Sequence, residues 1–190
     1  MNFIRMTLLV LLLTPTLSHS KPKVTDFLEY GAGIYSSIYI HEVGHALTAK
    51  LYGAENIDIN VPAEGGGWLS GETKYVMPSR TRSADRMITV SGLFAANLAA
   101  EVVLQNDGLH DSAFAQSIFG TAHASNVMHV FRYYTKIRGR NGWKGNDIDH
   151  YELSGGNPHV LSAILLGYTA WSLSRASDKQ LPLFGVSFEF

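Results

Sequence analysis

The chain of 190 residues contains no cysteine, and only 16% of its residues are charged. The absence of cysteine excludes disulfide scaffolds, thiol catalysis and cysteine-ligated zinc sites. Globular proteins carry about 25% charged residues on average, so charge is scarce as well. The 15 Lys and Arg residues nearly balance the 16 Asp and Glu residues, which gives no reason to expect a nucleic-acid partner. A hydrophobic fraction of 46% argues against intrinsic disorder and favours a folded domain, in water or in a membrane.

The first 20 residues have the pattern of a secretory signal. Arg5 gives a short positive start, Met6–Leu13 is apolar, and Ser18–Ser20 resembles a cleavage site of small residues. An uncleaved signal anchor fits the same pattern. We therefore predict that residues 1–20 are a signal peptide or signal anchor and that residues 21–190 form a single domain.

Four later segments have the length of membrane helices and carry very little charge. They are residues 30–51, 87–104, 112–131 and 158–174. A bilayer core needs roughly 20 mainly apolar residues per helix. A soluble helical bundle would show a stripe of Lys and Glu on each outer face, and these segments lack one. The pattern predicts a mainly α fold, namely a polytopic membrane bundle of about four core helices.

Basic residues support this topology because they collect in alternate loops. If residue 21 lies outside, the loops 53–86 and 132–157 lie inside, and they hold most of the basic residues between the spans, as the positive-inside rule expects. No nucleic-acid-binding fold accompanies the basic loops. We expect a multi-pass protein of a bacterial inner membrane in contact with lipid, with a secreted or periplasmic protein as the alternative.

The segment His41-Glu42-Val43-Gly44-His45 is an H-E-x-x-H motif within an apolar stretch. Residues i and i+4 share one face of a helix, so His41 and His45 can bind one zinc ion. Glu42 then lies beside the water that the metal activates and can take its proton. The alternative is a structural role for two buried histidines, but a buried unpaired glutamate beside them would be costly.

Two histidines leave one protein ligand of a catalytic zinc unassigned. Glu64 follows the motif at a spacing seen in soluble glutamate-ligand zincins, but it lies in a Gly-rich stretch rather than on a helix. Glu101 lies in a predicted helix. Asp147 precedes another helical segment, with Asp149 and His150 as neighbours that could bind the metal or support its ligands. Helix N-capping explains the last group equally simply.

These motifs resemble the site-2-protease-type family of intramembrane zinc metalloproteases. That family carries H-E-x-x-H in its first core membrane helix, as His41–His45 would be here. A short β segment follows, and then a helix with a Gly-Pro-x-x-Asn-like stretch, which Ser91–Asn97 echoes. The third ligand is an aspartate, for which Asn146-Asp147 is the nearest match. The sequence departs from the family at Leu93 and Ile148, where proline and glycine are expected.

The resemblance implies a role for each matched residue. His41, His45 and Asp147 would bind the zinc ion, Glu42 would be the general base, and Asn97 would lie near the substrate or its oxyanion. All three ligands would then meet on the cytoplasmic side. The family's activity implies a protein or peptide substrate that is itself associated with the membrane.

A β-hairpin is expected between the first two helices. Asn56–Val61 alternates apolar and polar residues, as a strand does, and a second strand is expected near Lys74–Val76. The edge of such a hairpin could bind an extended substrate. The glycines of Gly65–Gly67 fit an ordinary flexible loop equally well.

His123 and His129 lie with Asn126 on the charge-free segment 112–131. Polar groups at membrane depth are candidates for function, but hydrogen bonds between helices explain them equally well. Because a spacing of six residues does not place the two histidines on one helical face, we assign neither of them to the site.

Three hypotheses follow from the sequence. The first is a zinc-dependent endopeptidase embedded in the membrane. The second is a soluble zincin with Glu101 or Glu64 as its third ligand. The third is a non-catalytic membrane protein whose metal site is structural.

Overall fold

Five helices and one β-hairpin make up the described part of the chain. The computed structural model of the protein describes residues 23–64, 66–136 and 146–182. In chain order the elements are α1 (Val24–Leu51), β1 (Glu55–Asn60), β2 (Glu72–Val76), α2 (Arg82–Gln105), α3 (Ala113–Thr135), α4 (Asp147–Leu153) and α5 (Pro158–Asp178). The prediction of a mainly α fold with a short hairpin is confirmed. The predicted signal segment, residues 1–20, lies outside the described residues.

Helices α2 to α5 each begin at a side chain that caps the first turn. These capping residues are Thr81, Ser112, Asn146 and Asn157. Each side-chain oxygen accepts a hydrogen bond from a backbone N–H of the first turn, which would otherwise lack a partner. Pro158 follows the last cap, at a helix position where its missing N–H costs nothing. The local sequence therefore fixes where these four helices start.

Two glycines let α1 approach its neighbours closely. A Cβ on Gly44 would lie 2.7 Å from Cβ of Ala95 and would also overlap the backbone of Ser91, both in α2. A Cβ on Gly33 would overlap Phe114 and Ser117 of α3. Small residues of this kind allow helix backbones to pack tightly, as membrane helices do. Helix α1 is thus held between α2 and α3, which positions its histidines against both.

The hairpin lies against the end of α1. Strands β1 and β2 pair antiparallel, with Asp58 opposite Lys74 and Asn60 opposite Glu72. A small buried cluster lies beneath the hairpin and consists of Ala49, Ala54 and Ile88, with Ile57, Tyr75 and Met77 packed against it. Both predicted strands are therefore present, and the hairpin spans the gap between α1 and the start of α2.

Large apolar side chains remain exposed along the outer faces of the helices. On α2, Phe94, Leu98 and Val102 follow one another at i, i+4 and i+8 and are 69%, 54% and 50% exposed. The four segments predicted as spans are all helical. One helix of the described residues, Arg82–Gln105, is long and apolar enough to cross a membrane by length and composition. The polytopic arrangement stays a prediction.

Candidate metal centre

Helix α1 presents His41 and His45 side by side, as the i, i+4 spacing predicts. Their Nε2 atoms lie 3.0 Å apart. Nδ1 of His45 lies 2.6 Å from the carbonyl oxygen of Ile88 in α2. A carbonyl oxygen can only accept, so Nδ1 of His45 carries a hydrogen, and in the neutral ring Nε2 is left with a lone pair. The backbone of α2 therefore fixes the tautomer that a metal ligand needs.

Asp147 comes to these histidines from the far end of the sequence, at the first turn of α4. Its Oδ2 atom lies 3.0 Å from Nε2 of His41 and 3.6 Å from Nε2 of His45. Oδ2 is buried, and its close neighbours are these imidazoles. Burial on its own would raise the pKa of Asp147, but the imidazoles of His45, His129 and His41 hold it well below its usual value. The carboxyl group is therefore an anion, as metal binding requires.

His129 of α3 brings a third imidazole to the same point. Its ring stacks on that of His41, with the ring centres 5.7 Å apart and the planes 23° apart. Its Nε2 atom lies 4.0 Å from Oδ2 of Asp147. The other ring nitrogen, Nδ1, lies 2.8 Å from Oδ1 of Asn146.

The side-chain amide of Asn146 joins α3 to the start of α4. Its Oδ1 atom accepts a hydrogen bond from the backbone N–H of Ile148, which caps α4. Its Nδ2 atom donates to the carbonyl oxygen of His129 over 2.6 Å. These two bonds fix the orientation of the amide, so Oδ1 must also accept the hydrogen on Nδ1 of His129. Nε2 of His129 is then left with a free lone pair.

The spacing of these atoms fits a metal ion. The ligand atoms of His41, His129 and Asp147 all lie within 4.8 Å of one another. Adjacent ligands of a tetrahedral zinc ion are about 3.3 Å apart, because Zn–N bonds are about 2.0–2.1 Å long. The distances from Oδ2 of Asp147 to Nε2 of His41, His45 and His129 are 3.0, 3.6 and 4.0 Å, around that value. His45 does not belong to the group of three, so one cation held by all four side chains would require the His45 or the His129 ring to move.

Gly92 of α2 leaves open the space in front of the two α1 histidines. A Cβ at this position would lie 2.6 Å from Cε1 of His45 and 2.8 Å from Nε2 of His41, and closer still to Nε2 of His45. Any other residue would therefore crowd the atoms that could bind a metal. The four candidate ligand side chains are 11–18% exposed, so the centre lies largely inside the protein.

Glu42 lies next to His41 on α1 and beneath the hairpin. Its side chain is buried. The hydroxyl of Thr73 in β2 lies 2.8 Å from Oε2 of Glu42 and can donate to it. A Cβ on Gly71 would lie 2.6 Å from Oε1 of Glu42, so the backbone at Gly71 packs directly against the carboxylate. The hairpin thus holds the expected general base in one position.

Asn97 lies further along α2, five residues after Gly92, which is about 7.5 Å along the helix axis. Its amide exchanges hydrogen bonds with the amide of Asn126 over 2.8 and 3.2 Å and also donates to the carbonyl oxygen of Leu93. All of these bonds run between or within helices. The expected role of Asn97 near the substrate stays a prediction.

The other acidic candidates have different partners. Glu101 forms a two-point ion pair with Arg175, with Oε1 2.7 Å from Nη2 of the arginine. Glu64 pairs with Lys74 on the hairpin. Asp149 lies 3.8 Å from the Nζ atom of Lys136. Within the part of the chain that the structure describes, Asp147 is the acidic residue that joins the histidine cluster.

Sequence reasoning assigned no role to three residues of this centre: His129, Thr73 and Gly92. For His129 a signal was present, because a histidine within a charge-free helix is costly unless it is used. The argument that His123 and His129 do not share one helical face was misleading, since the partners of His129 lie on other helices. Thr73 and Gly92 carry no such signal.

Comparison of the chain with protein-family models, with curated proteins and with solved structures finds no match. The resemblance to the site-2-protease-type family therefore rests on the sequence motifs alone.

Proposed function

We propose that this protein is a membrane-embedded, zinc-dependent endopeptidase of the site-2-protease type. The observation that carries the proposal is the convergence of Nε2 of His41, Nε2 of His45 and Oδ2 of Asp147 within 3.6 Å of one another. Asp147 lies about a hundred residues beyond the motif, so the fold and not the local sequence brings it there. Glu42 lies beside this group with its carboxylate held in place.

The choice of zinc follows from the donors. Imidazole nitrogens with one carboxylate oxygen suit zinc, and thiolate donors are excluded by the absence of cysteine. A bound zinc ion would act as a Lewis acid and make water a nucleophile near neutral pH.

The chain's own residues would supply the remaining chemistry. Glu42 accepts the proton of the attacking water and later donates it to the leaving amine. Thr73 donates a hydrogen bond to Oε2 of Glu42 and so keeps that carboxylate from turning away. The free edges of the two-stranded hairpin are suited to bind an extended peptide beside the site.

A membrane location is supported by the exposed apolar faces. A soluble monomer rarely exposes large continuous apolar patches, whereas a bilayer would cover the stripe Phe94, Leu98 and Val102 on α2. Resistance of the protein to extraction from membranes by alkaline carbonate would support this location. Complete release into the soluble fraction would favour a secreted or periplasmic zincin.

A second candidate function is favoured by one observation. His129 adds a fourth donor to the group, and four protein donors are typical of structural zinc sites. A non-catalytic membrane protein that binds zinc would therefore fit the same residues. Glu42 discriminates between the two candidates, because a structural site needs no general base.

The test replaces Glu42 by Gln in the purified full-length protein. A proteome-derived peptide library in detergent micelles is the substrate, and mass spectrometry detects new peptide ends. We expect the wild type to cleave peptides in a zinc-dependent manner and E42Q to lose about 10²- to 10⁴-fold in rate while it keeps zinc.

Glu29→Gln is the matched control, because Glu29 is an exposed glutamate on the same helix. It should cleave like the wild type. Cleavage by E42Q at the wild-type rate, or zinc binding without any cleavage by the wild type, would contradict the proposal and favour the structural site.

A further inference from the structure

We propose that His129 is a fourth protein ligand of the metal and that Asn146 positions it for this role. The inference rests on the proposed metal site but goes beyond the three-ligand set that the motifs imply. It also changes what the resting centre looks like, because a catalytic zinc site normally keeps one position open.

Three observations on His129 carry the proposal. Its Nε2 atom is 4.0 Å from Oδ2 of Asp147, and its ring is stacked on the ring of His41. Its Nδ1 hydrogen is taken by Oδ1 of Asn146, so Nε2 presents a lone pair to the group. Ligating histidines in metal sites are held through their second nitrogen in this way.

Asn146 holds His129 and the start of α4 in a fixed arrangement. It makes three contacts with separate groups: the backbone N–H of Ile148, the backbone carbonyl of His129 and the ring of His129. It is also adjacent in sequence to Asp147. One buried amide therefore fixes two of the four donors relative to each other, although they come from different helices.

The neighbouring histidine of α3 provides the contrast. His123 is also buried, six residues earlier on the same helix, but neither of its ring nitrogens has a hydrogen-bond partner among the described residues. It packs on the ring of Phe119, with centres 4.5 Å apart, and near Tyr168. Burial of a histidine on α3 alone therefore does not explain the fixed tautomer and the neighbours of His129.

Four protein donors would fill a tetrahedral centre. Water could then enter only by displacing one of them or by expanding the coordination to five. The resting protein would then be closed at the metal until one of the donors is displaced.

X-ray absorption at the zinc edge of the zinc-loaded, full-length wild type is the first test, because it needs no variant. We expect three imidazoles and one oxygen ligand. Two imidazoles with two or more oxygen ligands would overturn the proposal.

The second test measures zinc affinity by competition with a chromogenic chelator. His129→Phe keeps an aromatic ring on His41 but removes the donor, and we expect affinity to fall at least tenfold. The zinc affinity of Asn146→Ala should fall about 10- to 100-fold, as it does when the hydrogen-bond partner of a ligand is lost. His123→Phe is the matched control and should bind like the wild type. Equal zinc affinity in the wild type and His129→Phe would overturn the proposal.

These results are separable from the proposed function. Zinc bound through two imidazoles, with cleavage that depends on Glu42, would refute the fourth ligand and leave the endopeptidase intact. Three imidazoles without any cleavage would do the reverse. A wild type that binds no zinc would overturn both.

Discussion

Two carboxylates lie between helices in this protein, and their surroundings differ. Glu101 of α2 receives two hydrogen bonds from Arg175, one from Gln105 and one from the hydroxyl of Tyr168. Asp147 of α4 is surrounded instead by imidazoles. Among the described residues, these rings are the basic groups within ion-pair distance of it.

The difference shows how a structural carboxylate and a candidate ligand can be told apart. The charge of Glu101 is balanced by a permanent cation, and both of its oxygens have partners. The charge of Asp147 is faced by titratable rings, and in their neutral forms those of His45 and His129 present an Nε2 lone pair, because their Nδ1 atoms donate to other groups. A carboxylate among lone pairs is the arrangement that a metal cation would complete.

The largest effect is expected when the negative charge of Asp147 is removed, compared with removal of the charge of Glu101. Asp147→Asn removes the anionic ligand, and we expect zinc affinity to fall by more than the 10- to 100-fold that loss of a ligand's partner causes. Glu101→Gln is the matched control, because it removes a charge of the other region, and its zinc content should be unchanged. Equal losses of zinc in the two variants would remove the distinction between the regions.

A smaller loss of zinc affinity is expected when the space in front of His41 and His45 is filled. Gly92→Ala places a Cβ 2.6 Å from Cε1 of His45 and 2.8 Å from Nε2 of His41, so the rings must shift. We expect zinc affinity to fall about tenfold or more, measured by chelator competition. Gly167→Ala on α5 is the control, since nothing lies within 4 Å of its Cβ. Wild-type zinc affinity in Gly92→Ala would show that the rings do not need this space.

The smallest effect is expected on kcat, through the proposed general base Glu42, with no change in zinc binding. Thr73→Val keeps the shape of the side chain but removes the hydroxyl that donates to Glu42. Loss of a hydrogen bond worth about 1–1.5 kcal/mol predicts a five- to tenfold lower kcat with unchanged zinc content. Thr73→Ser restores the hydroxyl and should restore kcat. If Thr73→Ser is as slow as Thr73→Val, packing and not the hydrogen bond is responsible.

The sequence predicts the local features of this site well. The i, i+4 spacing places His41 and His45 together because helix geometry depends on near neighbours only. The alternating strand at Asn56–Val61 was predictable for the same reason. Asp147 could be proposed only through the family resemblance, since no local rule links it to α1.

The remaining features depend on contacts between distant elements. His129 enters the centre because Asn146 ties α3 to α4, and Thr73 reaches Glu42 because the hairpin lies over α1. Asn97 was expected near the substrate, but its side-chain amide forms hydrogen bonds with Asn126 of the facing helix. The periodicity of a sequence predicts which face of a helix or strand a residue occupies, but it does not predict which other element packs against that face.

The double role of Asn146 links local folding to ion uptake. Helix α4 has only seven residues, and a helix this short has little stability of its own in water. If its first turn unwinds, Asp147 loses its position and His129 loses its support at the same moment. Two of the four proposed donors would thus be gained and lost together with the first turn of this helix.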